Sequence, residues 1–389
     1  MGEKELKLYN ERIELFKNSV EHKPVSRVPI FSITDNWALF YYGTTLKEAL
    51  KDPKLEYAAY EKALTDFPYD GSAFAGITTP MNFVASLGGG MYKDMDTLQV
   101  QTGQSMVMPV EDYDKLIEDP YKYILGTVLP KKYALFRLGS KMSMFFKLAS
   151  SMSSMGNWAK NKAKAMDNFK NDHGLPVLNS VPAFVAADIM LDGLRDFKGM
   201  TTDIRRMPDK VAAAAMSITD NLCIPSISYA QATPSDEIYP QLYLHLPPWI
   251  GPKQFEKVYW PGFIKYLNEF KSRGYKMIVF FEKNYSHLYD YLEDLPKDLM
   301  IGLFEEDDLV TVKKRIGDVI CVGGGIHVQD LMYKTPEECI DITKGIIDSV
   351  APGGNFVFAP NKILLAANDA RPENLKAVTE FVREYAMYK

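Results

Sequence analysis

Glu282 and Lys283 emerge where the apolar run Met277–Phe281 stops, inside the stretch YKMIVFFEKNYSHLYD at residues 275–290. Five apolar residues in a row read as a fully buried strand. In a parallel α/β fold, the groups just past a strand's C-terminal end are the ones placed to do chemistry. The everyday alternative for Glu282 is a solvated loop acid or a helix cap. Two other strand ends carry groups of complementary type. His245 lies at the end of the run 239–246, before Pro247 and Pro248, and Cys321 at the end of 318–322, before Gly323, Gly324 and Gly325. Imidazole nitrogen, carboxylate oxygen and thiolate sulfur all bind zinc, and three protein ligands with one open position describe a catalytic zinc. His245, Glu282 and Cys321 therefore form one candidate constellation, catalytic and metal-binding, if a fold brings three distant strand ends to one rim. Each also has a plainer reading, since a lone histidine is often a hydrogen-bonded core residue and a buried cysteine a small hydrophobe. His287 and His327, beyond two of the same strands, are either substitute ligands or solvated loop histidines.

A common rim requires several strands running the same way. Eight strand candidates lie at 26–34, 66–76, 175–181, 239–246, 277–281, 300–304, 318–322 and 355–359, alternating with helical segments. The helices are long enough for right-handed crossovers, which predicts an α/β fold of the (β/α)8 barrel type, a TIM barrel, with an open doubly wound sheet as second choice. The whole chain, 1–389, reads as one domain. Residues 1–25 form an N-terminal helical extension, with Leu6, Tyr9, Ile13 and Phe16 at helical spacing. Residues 77–172 are an insertion after the second strand. There Gly88, Gly89 and Gly90 suit a turn or hairpin leading to a strand-like run at 98–106, and 111–170 is helix-rich and dense in Met and Ser. Those methionines suit either an adaptable surface or gap-filling in the core.

Past the first strand come Asp35, Asn36, Trp37, Phe40, Tyr41 and Tyr42. Such a cluster either walls a pocket for an aromatic ligand or packs the following helix on the core.

Composition removes whole classes of function. A formal charge of −5 spread along 389 residues leaves no basic footprint, so neither nucleic acid nor a membrane surface is an expected partner. The first twenty residues are charged throughout and lack a signal-peptide core. Cys223, Cys321 and Cys339 are an odd set without CxxC spacing, as expected of a protein kept in the reducing cytoplasm. No GxxxxGK[ST], GxGxxG, GxSxG or HExxH is present, which removes the easily recognised phosphate-binding and hydrolase routes.

Three segments carry a family resemblance: HKPVSRVPI at 22–30, GLRDFKGMTTDIRRMPDKV at 193–211 and NDARPENLKAVTEFV at 368–382. Together with the order of elements, they resemble the uroporphyrinogen decarboxylase superfamily over nearly the whole chain. That resemblance implies a (β/α)8 barrel, but the superfamily holds both the decarboxylase and corrinoid-dependent methyltransferases. The decarboxylase carries an arginine-rich RQAGRY-type segment after its first strand, where this chain reads TDNWALFYYG at 34–43. The methyltransferases that serve coenzyme M place zinc ligands in HxCG and in a later Cys; the matching positions here are Phe280, Glu282 and Asn361. The pattern LHxxxxxxPxQFExxYWP, with FFE and Cys-x-x-Gly, is matched at 244–261, 280–282 and 321–324. It looks like the methyltransferase component of corrinoid-dependent O-demethylases.

The resemblance implies transfer of a methyl group from an aryl methyl ether to the cob(I)alamin (cobalamin) of a partner corrinoid protein. Zinc on His245, Glu282 and Cys321 would act as Lewis acid on the ether oxygen. Asn36, Trp37, Phe40, Tyr41, Phe280 and Asn361 would bind the methoxylated aromatic substrate. The chain lacks a DxHxxG-type cobalamin-ligating signature, so the corrinoid is expected on the partner, and a homodimer is compatible with the sequence. Alternatives are methyl transfer from methylcobalamin to a thiol or pterin, a uroporphyrinogen decarboxylase-like decarboxylation, and a non-catalytic binding barrel.

Overall fold

The computed structural model of the chain describes residues 2–89, 92–93, 101–102, 106–178, 183–229 and 234–388. Its strands are β1 (Phe31–Ser32), β2 (Gly71–Ser72), β3 (Tyr92–Lys93), β4 (Gln101–Thr102), β5 (Gln241–Leu244), β6 (Met277–Phe281), β7 (Met300–Phe304), β8 (Cys321–Gly324) and β9 (Phe356–Phe358). β5 to β9 form one parallel sheet in sequence order. β1 and β2 pair in parallel as well, a bridge from Ile30 to Phe358 joins β1 to β9, and a bridge from Ser72 to Val177 adds the third expected strand. The parallel order is therefore Val177, β2, β1, β9, β8, β7, β6, β5. All eight expected strand positions take part. One seam, between Val177 and Gln241, has no ladder among the described residues; there the Gln241 side-chain amide donates to Ala73 O (3.1 Å) and Leu178 O (3.5 Å).

Strands β6 and β7, MIVFF and MIGLF, are buried at every position, as strands covered on both faces must be. Phe281 stacks on Phe304 across them, with centroids 4.4 Å apart. The helices cover the outside with apolar stripes, and their ends are marked in the sequence. Thr335 and Glu338 make a reciprocal capping box for Pro336–Val350. One apolar core runs from Tyr9 to Ala386, so the extension and the closing helix belong to the same body.

The N-terminal helix Glu3–Val20 buries Tyr9, Ile13 and Phe16 as the spacing predicts, whereas Leu6 is exposed. Phe16 fits edge-on against Phe31 because Gly71 has no side chain: a Cβ there would stand 2.6 Å from the Phe16 ring. In the insertion, β3 and β4 pair antiparallel, and most of the expected 98–106 run lies outside the described residues. The helix Lys141–His173 follows, burying Ala165 and Phe169 on the body while exposing Met142, Phe145, Phe146 and Met152. No described helix is long and apolar enough to cross a membrane.

The end of the body opposite the strand C-termini is tied by ions. Asp70, fully buried just before β2, takes a bidentate contact from Arg27, a bond from Arg383 Nη2 (2.8 Å), and the more distant Arg12 Nε (3.9 Å). These join the first helix, the approach to β1 and the last helix. Removing one member of a buried network leaves uncompensated charge, at a cost of about 3–5 kcal/mol. Asp70→Asn should lower unfolding stability by that amount in urea titration; a loss near that of an exposed ion pair, about 1 kcal/mol or less, would show that the network does not tie the body.

Candidate active site

The ladder sets the level of each functional group. Leu244 is registered with Phe281, so His245 and Glu282, each one residue further on, leave the sheet side by side at its C-terminal edge. His245 Nε2 lies 3.5 Å from Glu282 Oε1. On its other side the ring donates through Nδ1 to Asp192 Oδ2 at 2.6 Å. Asp192 stands in the π-helical turn Met190–Arg195, four residues after Asp188. Asp188 is buried; its Oδ1 accepts from the Leu246 backbone N–H (2.9 Å) and its Oδ2 from the Tyr259 hydroxyl (2.7 Å). Burial works against a charged imidazole, but hydrogen bonds and charge from Asp192 and Glu282 outweigh it and push the His245 pKa up to about 11. The ring is an imidazolium at neutral pH. Burial also pushes the Asp188 carboxyl up to about 7, against the pull of His245 and of its two hydrogen-bond donors.

Beside Glu282 opens a cleft of about 230 Å³, lined by Phe280, Phe281, Glu282, Lys283, Leu303, Glu305, Asn361, Lys362, Ile363 and Leu365. Phe280 is held flat against Tyr243, centroids 4.6 Å apart and planes within 7°. Asn361 ties three loops together. Its Oδ1 accepts from Val328 N (2.9 Å), and its Nδ2 reaches Glu305 O (2.9 Å) and His327 Nδ1 (3.2 Å). Lys283 has a left-handed backbone, φ 63°, uncommon for a side chain of its size, and its N–H donates to Glu305 Oε2 (2.9 Å). The bend directs the chain across the mouth immediately after Glu282.

The structure thus sets His245 against Glu282 and places Glu282, Phe280 and Asn361 on one cleft, and it does not bring Cys321 to them. Cys321 begins β8 rather than ending it, registered with Ile301 in the row that also contains Ile278 and Gln241. Glu282 lies four residues beyond Ile278, and at ~3.3 Å per residue the thiol is displaced by about 13 Å along the strand direction. Metal bonds of ~2 Å cannot bridge that gap. The cause of the difference is the glycines: Gly323 and Gly324 continue the strand, because a Cβ on Gly323 would stand 2.6 Å from Leu303. The thiol is fully buried, and burial pushes its pKa up to about 12.

The aromatic cluster divides. Trp37 is in the core, donating Nε1–H to Ala370 O (3.1 Å) and stacked on Tyr41 (5.0 Å), whose hydroxyl donates to Asp66 (2.7 Å). Both are committed to packing between helices instead of to the cleft. Phe40 is half-buried. Asn36 is buried, its Oδ1 without a hydrogen-bond partner among the described atoms, and next to it burial pushes the Asp35 carboxyl up to about 6. His287 bonds Ile250 O (3.1 Å) and His327 is held by Asn361, so neither joins the His245 pair.

Asp188 and Asp192 were not among the residues expected from sequence. Their signal was two acids at i and i+4 on the helix after the third strand, a spacing that puts both on one face. For zinc the fit is incomplete: His245 and Glu282 offer two donors, Asp192 occupies the opposite ring nitrogen, and no described group of three or more His, Cys, Asp or Glu side chains could hold a metal ion. What the arrangement can do is hold a charged imidazole ring between two carboxylates, one of which, Glu282, lines the neighbouring cleft.

A family model for uroporphyrinogen decarboxylase (URO-D) matches residues 175–385, more than half of the chain. Among solved structures, a methyltransferase from Methanosarcina mazei superposes with a TM-score of 0.60 at 14% sequence identity, over 96% of this chain and 98% of that one. At that identity the likeness shows a shared fold. No curated protein matches the chain.

Two outcomes follow for the displaced residues. Cys321 should resist iodoacetamide in the folded protein and react only on unfolding, and any metal in the purified protein should be fully retained in Cys321→Ala; metal loss would return the thiol to the site. Trp37→Phe should lower the melting temperature yet leave the KM for a methoxylated benzene unchanged, and a raised KM would place the indole against substrate.

Proposed function

The chain belongs to the uroporphyrinogen decarboxylase family, and on that premise we propose that it is a methyltransferase moving the methyl group of a methoxylated aromatic compound to the cob(I)alamin of a partner corrinoid protein. The supporting observation is the pairing of His245 with Glu282, which itself lines a cleft walled by Phe280, Leu303, Ile363 and Leu365. Apolar walls accept a ring, and the charged pair faces what the ring carries. On this reading the parallel strands close as a (β/α)8 barrel, and the partner approaches over their C-terminal ends.

Splitting an aryl methyl ether leaves the electron pair of the broken C–O bond on oxygen, so the demand on the enzyme is stabilisation of that charge. His245 meets it by donating the Nε2–H to the ether oxygen and releasing the proton to the departing phenolate. Glu282 holds the charged ring in place before the substrate arrives, and Phe280, backed by Tyr243, supports the aromatic face. Cobalamin on the partner supplies the methyl acceptor. Zinc has two of its three expected donors, so the stabilising role is given to His245. Decarboxylation of uroporphyrinogen is less well supported: many carboxylates call for a surplus of cations, whereas β1 leads into Asp35, Asn36 and Trp37 and the two lysines of the cleft, Lys283 and Lys362, are matched by Glu282 and Glu305.

Methyl transfer is followed by the absorbance change of the reduced partner corrinoid protein on adding a methoxylated benzene. Wild type should support it, and His245→Gln should lower kcat by at least ~100-fold, the scale of a lost charge-stabilising donor, with KM little changed. A wild-type protein inert with every methoxylated ring, or a His245→Gln variant at full rate, would overturn this reading.

A further inference from the structure

We propose that Asp192 is the positioning residue of this centre, fixing the ring and the proton of His245 so that Nε2 points to the mouth. The inference rests on the reading of His245 as the donor. His245 follows β5 on a turn and is 37% exposed, so the sheet alone leaves its ring free to rotate and, once Nε2 has given up its proton, leaves either nitrogen free to carry the one that remains. The 2.6 Å contact from Nδ1 to Asp192 Oδ2 removes both freedoms. A carboxylate accepts only, so Nδ1 must carry a proton, and the opposite nitrogen is turned toward Glu282, 3.5 Å away.

The same helical segment holds the backbone of that turn. Asp188, four residues before Asp192, accepts from Leu246 N–H (2.9 Å), the peptide immediately after His245, and is itself locked by the Tyr259 hydroxyl (2.7 Å). Asp188 therefore fixes where the histidine stands and Asp192 fixes which way it faces. His245 is also the one described hydrogen-bond partner of Asp192. A carboxylate bonded to the far nitrogen of a proton-transferring imidazole is the arrangement that sets tautomer and orientation in hydrolase triads.

The competing view is that Asp192 and His245 are an ordinary half-exposed ion pair, which would add little to stability and nothing to turnover. Asp192→Asn, close in shape, separates the two. The expected result is a melting temperature near that of wild type, a KM for the methoxylated benzene within about twofold, and a kcat lowered by ~100-fold or more, with partial recovery in Asp192→Glu. A second readout does not use turnover: the ¹⁵N-edited spectrum of the imidazole side chains, five histidines with His245 assigned from His245→Gln. A strongly deshielded Nδ1 proton should be present in wild type and lost in Asp192→Asn. Unchanged kcat together with an unchanged His245 signal would overturn the proposal. If wild type moves no methyl group, the functional reading fails, while the spectrum still decides whether Asp192 holds the ring.

Discussion

The register of the parallel ladder from β5 to β9 is the constraint on which the mouth depends. Backbone hydrogen bonds fix Leu244 against Phe281 and Phe281 against Phe304, and every residue after those positions inherits its height from them. A shift of one residue would carry Glu282 into the sheet or away from His245, and would turn each side chain to the opposite face. The apolar rows that hold the register, MIVFF and MIGLF, are thus as much a part of the site as the charged groups beyond them. Core packing and site geometry are here one requirement.

A second constraint is electrostatic. Asp192 and Glu282 flank a single imidazolium, and beyond Glu282 the Lys283 ammonium lies between Glu305 (3.8 Å) and Glu306 (2.9 Å). Partly desolvated carboxylates are costly unless paired, and the structure pairs each differently: Asp192 with a ring nitrogen, Glu305 with the Lys283 N–H, Glu282 with the far side of the ring. Asp188, without an ionic partner in contact and fully enclosed, responds by holding its proton more tightly. His245 is consequently central to the balance, because removing its charge would leave Asp192 and Glu282 without the partner they share.

Much of this was legible before any coordinates. Long apolar runs bounded by turns can be only strands or short buried helices, and their alternation with amphipathic segments placed all eight strand positions and put His245 and Glu282 at strand ends. Cys321 was misplaced because Gly323 and Gly324 read as a turn. In the sheet they are strand residues chosen for close approach to Leu303 and the Phe304 carbonyl, and a sequence shows the missing side chain without showing which neighbour needs the space. Trp37 and Tyr41 were ambiguous for a related reason. An aromatic cluster past a strand serves a pocket or a core equally well, and contacts made far along the chain, at Ala370 and Asp66, decided for the core. Asp188 and Asp192 were visible as a spacing, but their value depended on which loop the helix faced, a tertiary fact.

Fold and site also separate in what they can say of substrate. Family membership and the structural likeness fix a scaffold that is compatible with several chemistries. Discrimination has to come from the mouth, and there charge and shape point the same way. The cleft sets Glu282 and Glu305 beside Lys283 and Lys362, so it offers no surplus of positive charge to a ligand bearing several carboxylates. A neutral ring meets Phe280, already flattened against Tyr243 and so presenting its face without further loss of side-chain freedom. On the proposed reading Glu282 then lies beyond the ring edge, beside the imidazolium. Asp192 and Glu282 would keep His245 charged, and through it they would supply a positive donor where negative charge develops. The carboxylates that hold the ring would then also serve the leaving group, because a protonated histidine would stand between them and the reacting oxygen.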